Sequence, residues 1–232
     1  MEERFGRAVR RIVDDLSRDP EVTAVLFFGS VQRGEASADS DLDFYVATTG
    51  GDYWRSAREI GGVAAELFCN PVSRLRQMFE NEDQIALNAF ATGELVLDRH
   101  GEGQVLVDRA KRSWTAGPKP LSADVAARWR YRITALASDA EGLAKGSADA
   151  RLVAGLLVPL ALEGYCALNR VWADQPKPLI ARVAETDADL AGMVASFYEH
   201  GMPPTGAVAI ADPVLQRFGG RLVCYGSQRT PC

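Results

Sequence analysis

From Glu3 to Ser17 the apolar residues Phe5, Val9, Ile12, Val13 and Leu16 return at intervals of three and four, the period of a helix with one apolar face. Asp19-Pro20 ends that pattern. Val22 to Phe28 is rich in β-branched and aromatic residues and is expected as a buried strand that stops at Gly29-Ser30. A loop rich in Gly, Ser, Ala and Asp leads to a second strand over about Leu42 to Ala47. After Gly50-Gly51 the sequence suggests a short helix from Tyr53 to Ile60, and Gly61-Gly62 opens a third strand, Val63 to Asn70, which Pro71 terminates. Val72 to Phe79, Asp83 to Ala91 and Gln104 to Arg112 have helical period, with a short strand at Glu94 to Asp98.

Ala116-Gly-Pro-Lys-Pro120 has the composition of a linker, and almost everything beyond it has the period of helices. These are expected near Ser122 to Ala144, Ala148 to Val171, Pro178 to Ala184 and Ala188 to His200. A loop through Gly206, a short helix from Asp212 to Phe218 and a strand-like Arg221 to Tyr225 finish the chain. The pattern predicts an α+β protein: a mixed sheet flanked by helices over residues 1–117, then a helical bundle over 118–232.

Composition changes this picture little. The 232 residues are 47% hydrophobic and 25% charged, ordinary for a globular protein. The net charge is −5 and the basic residues are dispersed, which argues against broad electrostatic binding to nucleic acid. Four cysteines, Cys69, Cys166, Cys224 and Cys232, form no CxxC pair, so neither a zinc site nor a disulfide framework is expected. The charged start Met-Glu-Glu-Arg-Phe lacks the apolar run of a signal peptide, so the expected location is the cytoplasm. The most apolar stretch, Leu152 to Leu162, contains Gly155 and Pro159 and ends at Glu163, and it is read as a core helix rather than a membrane span.

The chemistry concentrates in residues 28–43, Phe-Gly-Ser-Val-Gln-Arg-Gly-Glu-Ala-Ser-Ala-Asp-Ser-Asp-Leu-Asp. A strand delivers the chain to Gly29, whose missing side chain lets backbone amides approach a ligand, and Ser30 adds a hydroxyl, together a cradle for phosphate. Asp41 and Asp43 alternate around Leu42 at a strand start, so both carboxylates project from one face, with Cα atoms about 7 Å apart. Two carboxylates so placed suit Mg²⁺, which binds a few of them together with phosphate oxygens and water. Glu66 stands in an otherwise apolar strand, where a charge is costly to bury without a partner. A metal ion would satisfy it, and so would a salt bridge to Arg33 or Arg58.

Gly29, Ser30, Gly34, Ser40, Asp41 and Asp43 make up the pattern GS, loop, G, loop, SDxD, which resembles the nucleotidyltransferase superfamily of DNA polymerase beta. The likeness is greater to its small-molecule branch, the aminoglycoside and lincosamide nucleotidyltransferases, and it is detailed over about residues 20 to 70. The resemblance implies attack by an acceptor hydroxyl on the α-phosphorus of an NTP, most simply ATP, with release of pyrophosphate. It assigns two Mg²⁺ ions to Asp41, Asp43 and Glu66, with Glu66 also able to take the acceptor's proton. Gly29, Ser30 and Ser40 would hold the triphosphate. Lys177 resembles the lysine that reaches the triphosphate from the helical domain of related enzymes.

The remaining polar residues invite plainer readings. Glu163 could contact the acceptor, but the plainer reading is a pair with an Arg such as Arg170, seven residues on along the same helix. His100 and His200 precede glycines in expected surface loops, and the tryptophans are core residues by default. The expected partners are an NTP and a small hydroxylated acceptor, such as an antibiotic, with no membrane. Two other functions stay open: a toxin-type nucleotidyltransferase acting on tRNA or a protein, and a regulatory nucleotide-binding module with a decayed site.

Overall fold

The computed structural model describes residues 3–143, 147–173 and 176–226, with the side chains of 176–178 outside the description. The chain divides into two compact units, Met1–Ala116 and Gly117–Cys232.

The first unit runs α1 (Glu3–Leu16), β1 (Val22–Phe28), a single turn α2 (Gly29–Gln32), β2 (Leu42–Thr48), β3 (Trp54–Ile60) and β4 (Val63–Pro71). It continues with α3 (Val72–Glu80), α4 (Gln84–Thr92), β5 (Glu94–Asp98) and α5 (Glu102–Ala116). The five strands lie in the order β3-β4-β2-β1-β5. β2 and β4 are parallel and the other neighbours antiparallel, so the sheet is mixed.

Period-two alternation sorts the strands into two faces. On one, Val25 and Phe27, Phe44 and Val46, and Leu67 and Cys69 meet the α1 stripe of Phe5, Ala8, Ile12 and Leu16. Each large side chain buried there stabilises the unit by roughly 1.5–3 kcal/mol. On the other face Phe28, Tyr45 and Phe68 form a row of rings with centroids 5.1 and 5.2 Å apart, and Phe90 of α4 closes on Tyr45 at 5.4 Å.

Residues 54–60 are a strand, where the sequence pattern suggested a helix. Gly61 and Gly62 have φ of +61° and +79°, and Ile60 pairs with Val63, so these two residues turn a tight hairpin that only glycine enters freely.

The second unit is helical: α6 (Ala123–Gly142), α7 (Ala148–Leu168), α8 (Pro176–Ala184), α9 (Ala188–Glu199) and α10 (Pro204–Gln216). Ser122, Ser147 and Asp187 cap α6, α7 and α9, each side chain accepting a hydrogen bond from a backbone N–H of the first turn. By length and composition α7 could cross a membrane. Within this unit its Ala154, Leu157, Val158 and Ala161 are fully buried, in one core with Ile133, Val194 and Ile210.

Two expectations are corrected at the end of the chain. The final helix begins at Pro204, in the segment expected as loop, because proline at the first helical position has no N–H to leave unsatisfied. The strand-like residues 221–225 instead form a strap without regular structure. Arg130 donates to the carbonyls of Gly219 and Gly220, Leu222 N–H donates to Thr134 Oγ1, and Arg221 pairs with both Glu141 and Asp212. Side-chain partners thus satisfy polar groups that a sheet would otherwise have taken.

Candidate active site

The end of β1, the start of β2 and the adjoining part of β4 meet on the ring-bearing face. Gly29 leaves β1 with φ +88°, a left-handed conformation, and a Cβ placed there would lie 2.3 Å from Asp43 Oδ2. The turn α2 follows, and Glu35 N–H donates to Ser30 O to fold the loop back. Ser40 Oγ accepts from Ser37 N–H at 2.8 Å and lies 3.5 Å from Ser30 Oγ, so it braces the loop ahead of the carboxylates.

Asp43 is the register partner of Phe28 on one side and of Glu66 on the other. Strand neighbours lie about 4.8 Å apart, so Asp43 and Glu66 stand side by side on one face. Asp41 directly precedes β2, two residues from Asp43. The Asp43 carboxyl is raised well above the usual carboxylate range, to about 6, first by burial and then by the negative charges of Asp41 and Glu66, with Arg33 and Arg55 opposing. Deeper on the same face, burial pushes the Tyr45 hydroxyl up, and the neighbouring Asp83 adds to the effect.

Glu66 has a partner in this structure. Arg55 Nη2 of β3 donates to Glu66 Oε2 at 3.0 Å, and the same guanidinium lies 4.2 Å from the centre of the Phe68 ring. Among the described residues no three His, Cys, Asp or Glu side chains converge closely enough to hold one ion between them. The donor set nonetheless fits hard cations. Three carboxylates repel one another at one sheet end, and Gly29 leaves room for Asp43 where any other residue would intrude.

Residues 10–102 match the family model described as polymerase beta, nucleotidyltransferase. That match lies within the first unit. The chain is also similar in fold to a nucleotidyltransferase-like protein from Exiguobacterium sibiricum 255-15, with a TM-score of 0.50 and 11% identity, over 91% of this chain and 74% of that one. No curated protein matches the chain.

The first unit brings together Gly29, Ser30, Ser40, Asp41, Asp43 and Glu66. Lys177 falls in α8 of the second unit, and its side chain lies outside the described residues. Glu163 is exposed on α7, and Arg170 Nε donates to Pro118 O. His100 and His200 are exposed and Trp172 is buried, whereas Trp54 is exposed on the domain's edge strand.

Arg55 is the site residue that the sequence pattern does not reveal, since it offers Arg33 and Arg58 as partners for Glu66. Arg58 Nε instead donates to Ser56 Oγ, and Arg33 Nε pairs with Glu35. A signal was present: Gly61-Gly62 between two short runs is a hairpin signature, and it would have set Trp54–Ile60 beside β4.

Proposed function

We propose that this chain transfers a nucleoside monophosphate from an NTP, ATP in the simplest case, to a hydroxyl of a small acceptor such as an aminoglycoside-like polyol. The observation that carries this reading is the register pairing of Asp43 with Glu66 beside the Gly29 turn, with Asp41 two residues away. Asp41 and Asp43 would hold two Mg²⁺ ions and Glu66 would join them. When bound, such ions supply positive charge to the attacking and leaving oxygens of an in-line displacement.

The protein's own groups do the rest. Gly29 and Ser30 present backbone and hydroxyl donors to the phosphates, and Ser40 keeps the loop in place. The acceptor oxygen bonds to the α-phosphorus as the bond to the bridging oxygen breaks, and pyrophosphate leaves. The acceptor's proton passes to a carboxylate oxygen of Glu66. A small acceptor is favoured over tRNA because the chain is net acidic and has no basic block to track a phosphate backbone.

The test is pyrophosphate release from each of the four common NTPs with Mg²⁺, against aminoglycosides, lincosamides, other polyols and tRNA. Release with a small hydroxylated acceptor, abolished by Asp41→Asn and by Asp43→Asn, is expected. Release that survives Asp43→Asn would remove the metal assignment, and release with tRNA alone would replace the acceptor class.

A further inference from the structure

We infer that Arg55 is a resident counter-ion of the acidic site: it occupies the Glu66 carboxylate in the free protein and exchanges Glu66 for nucleotide phosphate when cations bind. The inference rests on the proposed reading of Asp41, Asp43 and Glu66 as cation ligands.

Three observations support it. Glu66 Oε2 is taken by Arg55 Nη2 at 3.0 Å, while no three ligating side chains converge among the described residues. The Arg55 side chain is 69% exposed and that of Glu66 is 44% exposed, so the pair is held weakly and can part without disturbing a core. The same guanidinium lies over the Phe68 ring at 4.2 Å while it bonds Glu66, and β3 is an edge strand largely exposed on both faces. An exposed side chain on an edge strand can turn away from Glu66 while the strand stays paired.

Electrostatics supplies the direction of the exchange. A cation bound by Glu66 would face Arg55 as a like charge a few ångströms away, so free metal must work against it. An incoming triphosphate reverses the sign, because a planar guanidinium pairs well with phosphate oxygens. Metal and nucleotide should then each strengthen binding of the other, and the bare ion alone should bind weakly.

Mn²⁺ titrations followed by electron paramagnetic resonance test this on the full chain, alone and with α,β-methylene-ATP. Arg55→Gln should bind free Mn²⁺ about 5-fold tighter than the parent protein, the size expected for freeing Glu66 from a half-exposed ion pair. The same variant should bind the Mn²⁺-loaded analogue more weakly, so the coupling between metal and nucleotide falls. Arg55→Lys, which keeps the charge but not the planar fork, should lie near the parent for free Mn²⁺ and bind the Mn²⁺-loaded analogue more weakly. In a Glu66→Gln background the effect of Arg55→Gln on free Mn²⁺ should shrink to less than about 2-fold, because the pair acts as a unit.

Unchanged affinity for free Mn²⁺ in a folded Arg55→Gln protein would overturn the inference. So would tightening that persists in full without Glu66, since Arg55 would then act only as a distant charge. Asp43→Asn separates the two levels. If it leaves Mn²⁺ binding intact, the cation site itself is lost and this inference with it; if it abolishes binding while Arg55→Gln matches the parent, only the role of Arg55 fails.

Discussion

Gly29 and Asp43 occupy each other's space: the position of a Cβ on residue 29 is 2.3 Å from Asp43 Oδ2, and residue 29 has φ +88°. Gly29→Ala should therefore destabilise the domain through both backbone strain and collision. Gly34 has φ +78°, and a Cβ added there would meet nothing within 4 Å, so Gly34→Ala isolates the backbone cost, about 1–2 kcal/mol. Denaturant melts should show a larger loss for Gly29→Ala, and the excess should largely vanish in an Asp43→Ala background. An equal loss for both glycines would show that the carboxylate can move aside freely.

The raised Asp43 carboxyl predicts how stability changes with pH in the absence of metal. Its folded pKa of about 6 exceeds the ordinary value of 3.8, so between these limits the native state binds more protons than the unfolded one. Its contribution is fully present below about pH 4 and is lost as pH rises through 6. Asp43→Asn should accordingly raise Tm at pH 7.5 by a few degrees and do little at pH 4. Mg²⁺ should stabilise the parent protein more at pH 7.5 than at pH 5. A parent and Asp43→Asn pair whose Tm values run parallel across this range would contradict the assignment.

Glu66→Gln tests a different quantity. Its partnership with Arg55 is half-exposed, so the substitution should change stability by only about 0–1 kcal/mol. As the proposed proton acceptor it should slow the chemical step by roughly 10²–10⁴-fold while Mg²⁺-NTP still binds. Single-turnover kinetics and nucleotide titration on the same preparation measure the two effects. Normal turnover with unimpaired folding would exclude Glu66 from the reaction.

Each unit has its own apolar core: Phe5, Ile12, Phe27 and Phe44 in the first, Leu157, Val158, Val194 and Ile210 in the second. A fragment of residues 1–116 should therefore fold alone and melt cooperatively. Calorimetry of the fragment decides the point; a broad, non-cooperative transition would show that it depends on the rest of the chain.

The sequence by itself determined the parts whose signals are local. The period of α1, the apolar runs of β1, β2 and β4, and the glycine and aspartate spacing from Gly29 to Asp43 each follow from chemistry within a few neighbouring residues. That was enough to anticipate an α+β fold and to single out Asp41, Asp43 and Glu66. β3 escaped because both its faces are largely exposed, and a strand with no buried face carries no alternation of apolar and polar residues. Only the tertiary structure decided that Glu66 stands in register with Asp43 and is met by Arg55, eleven residues earlier on an adjacent strand. Strand order and register arise from pairing between segments distant along the chain, and one residue of slip would move every side chain to the opposite face.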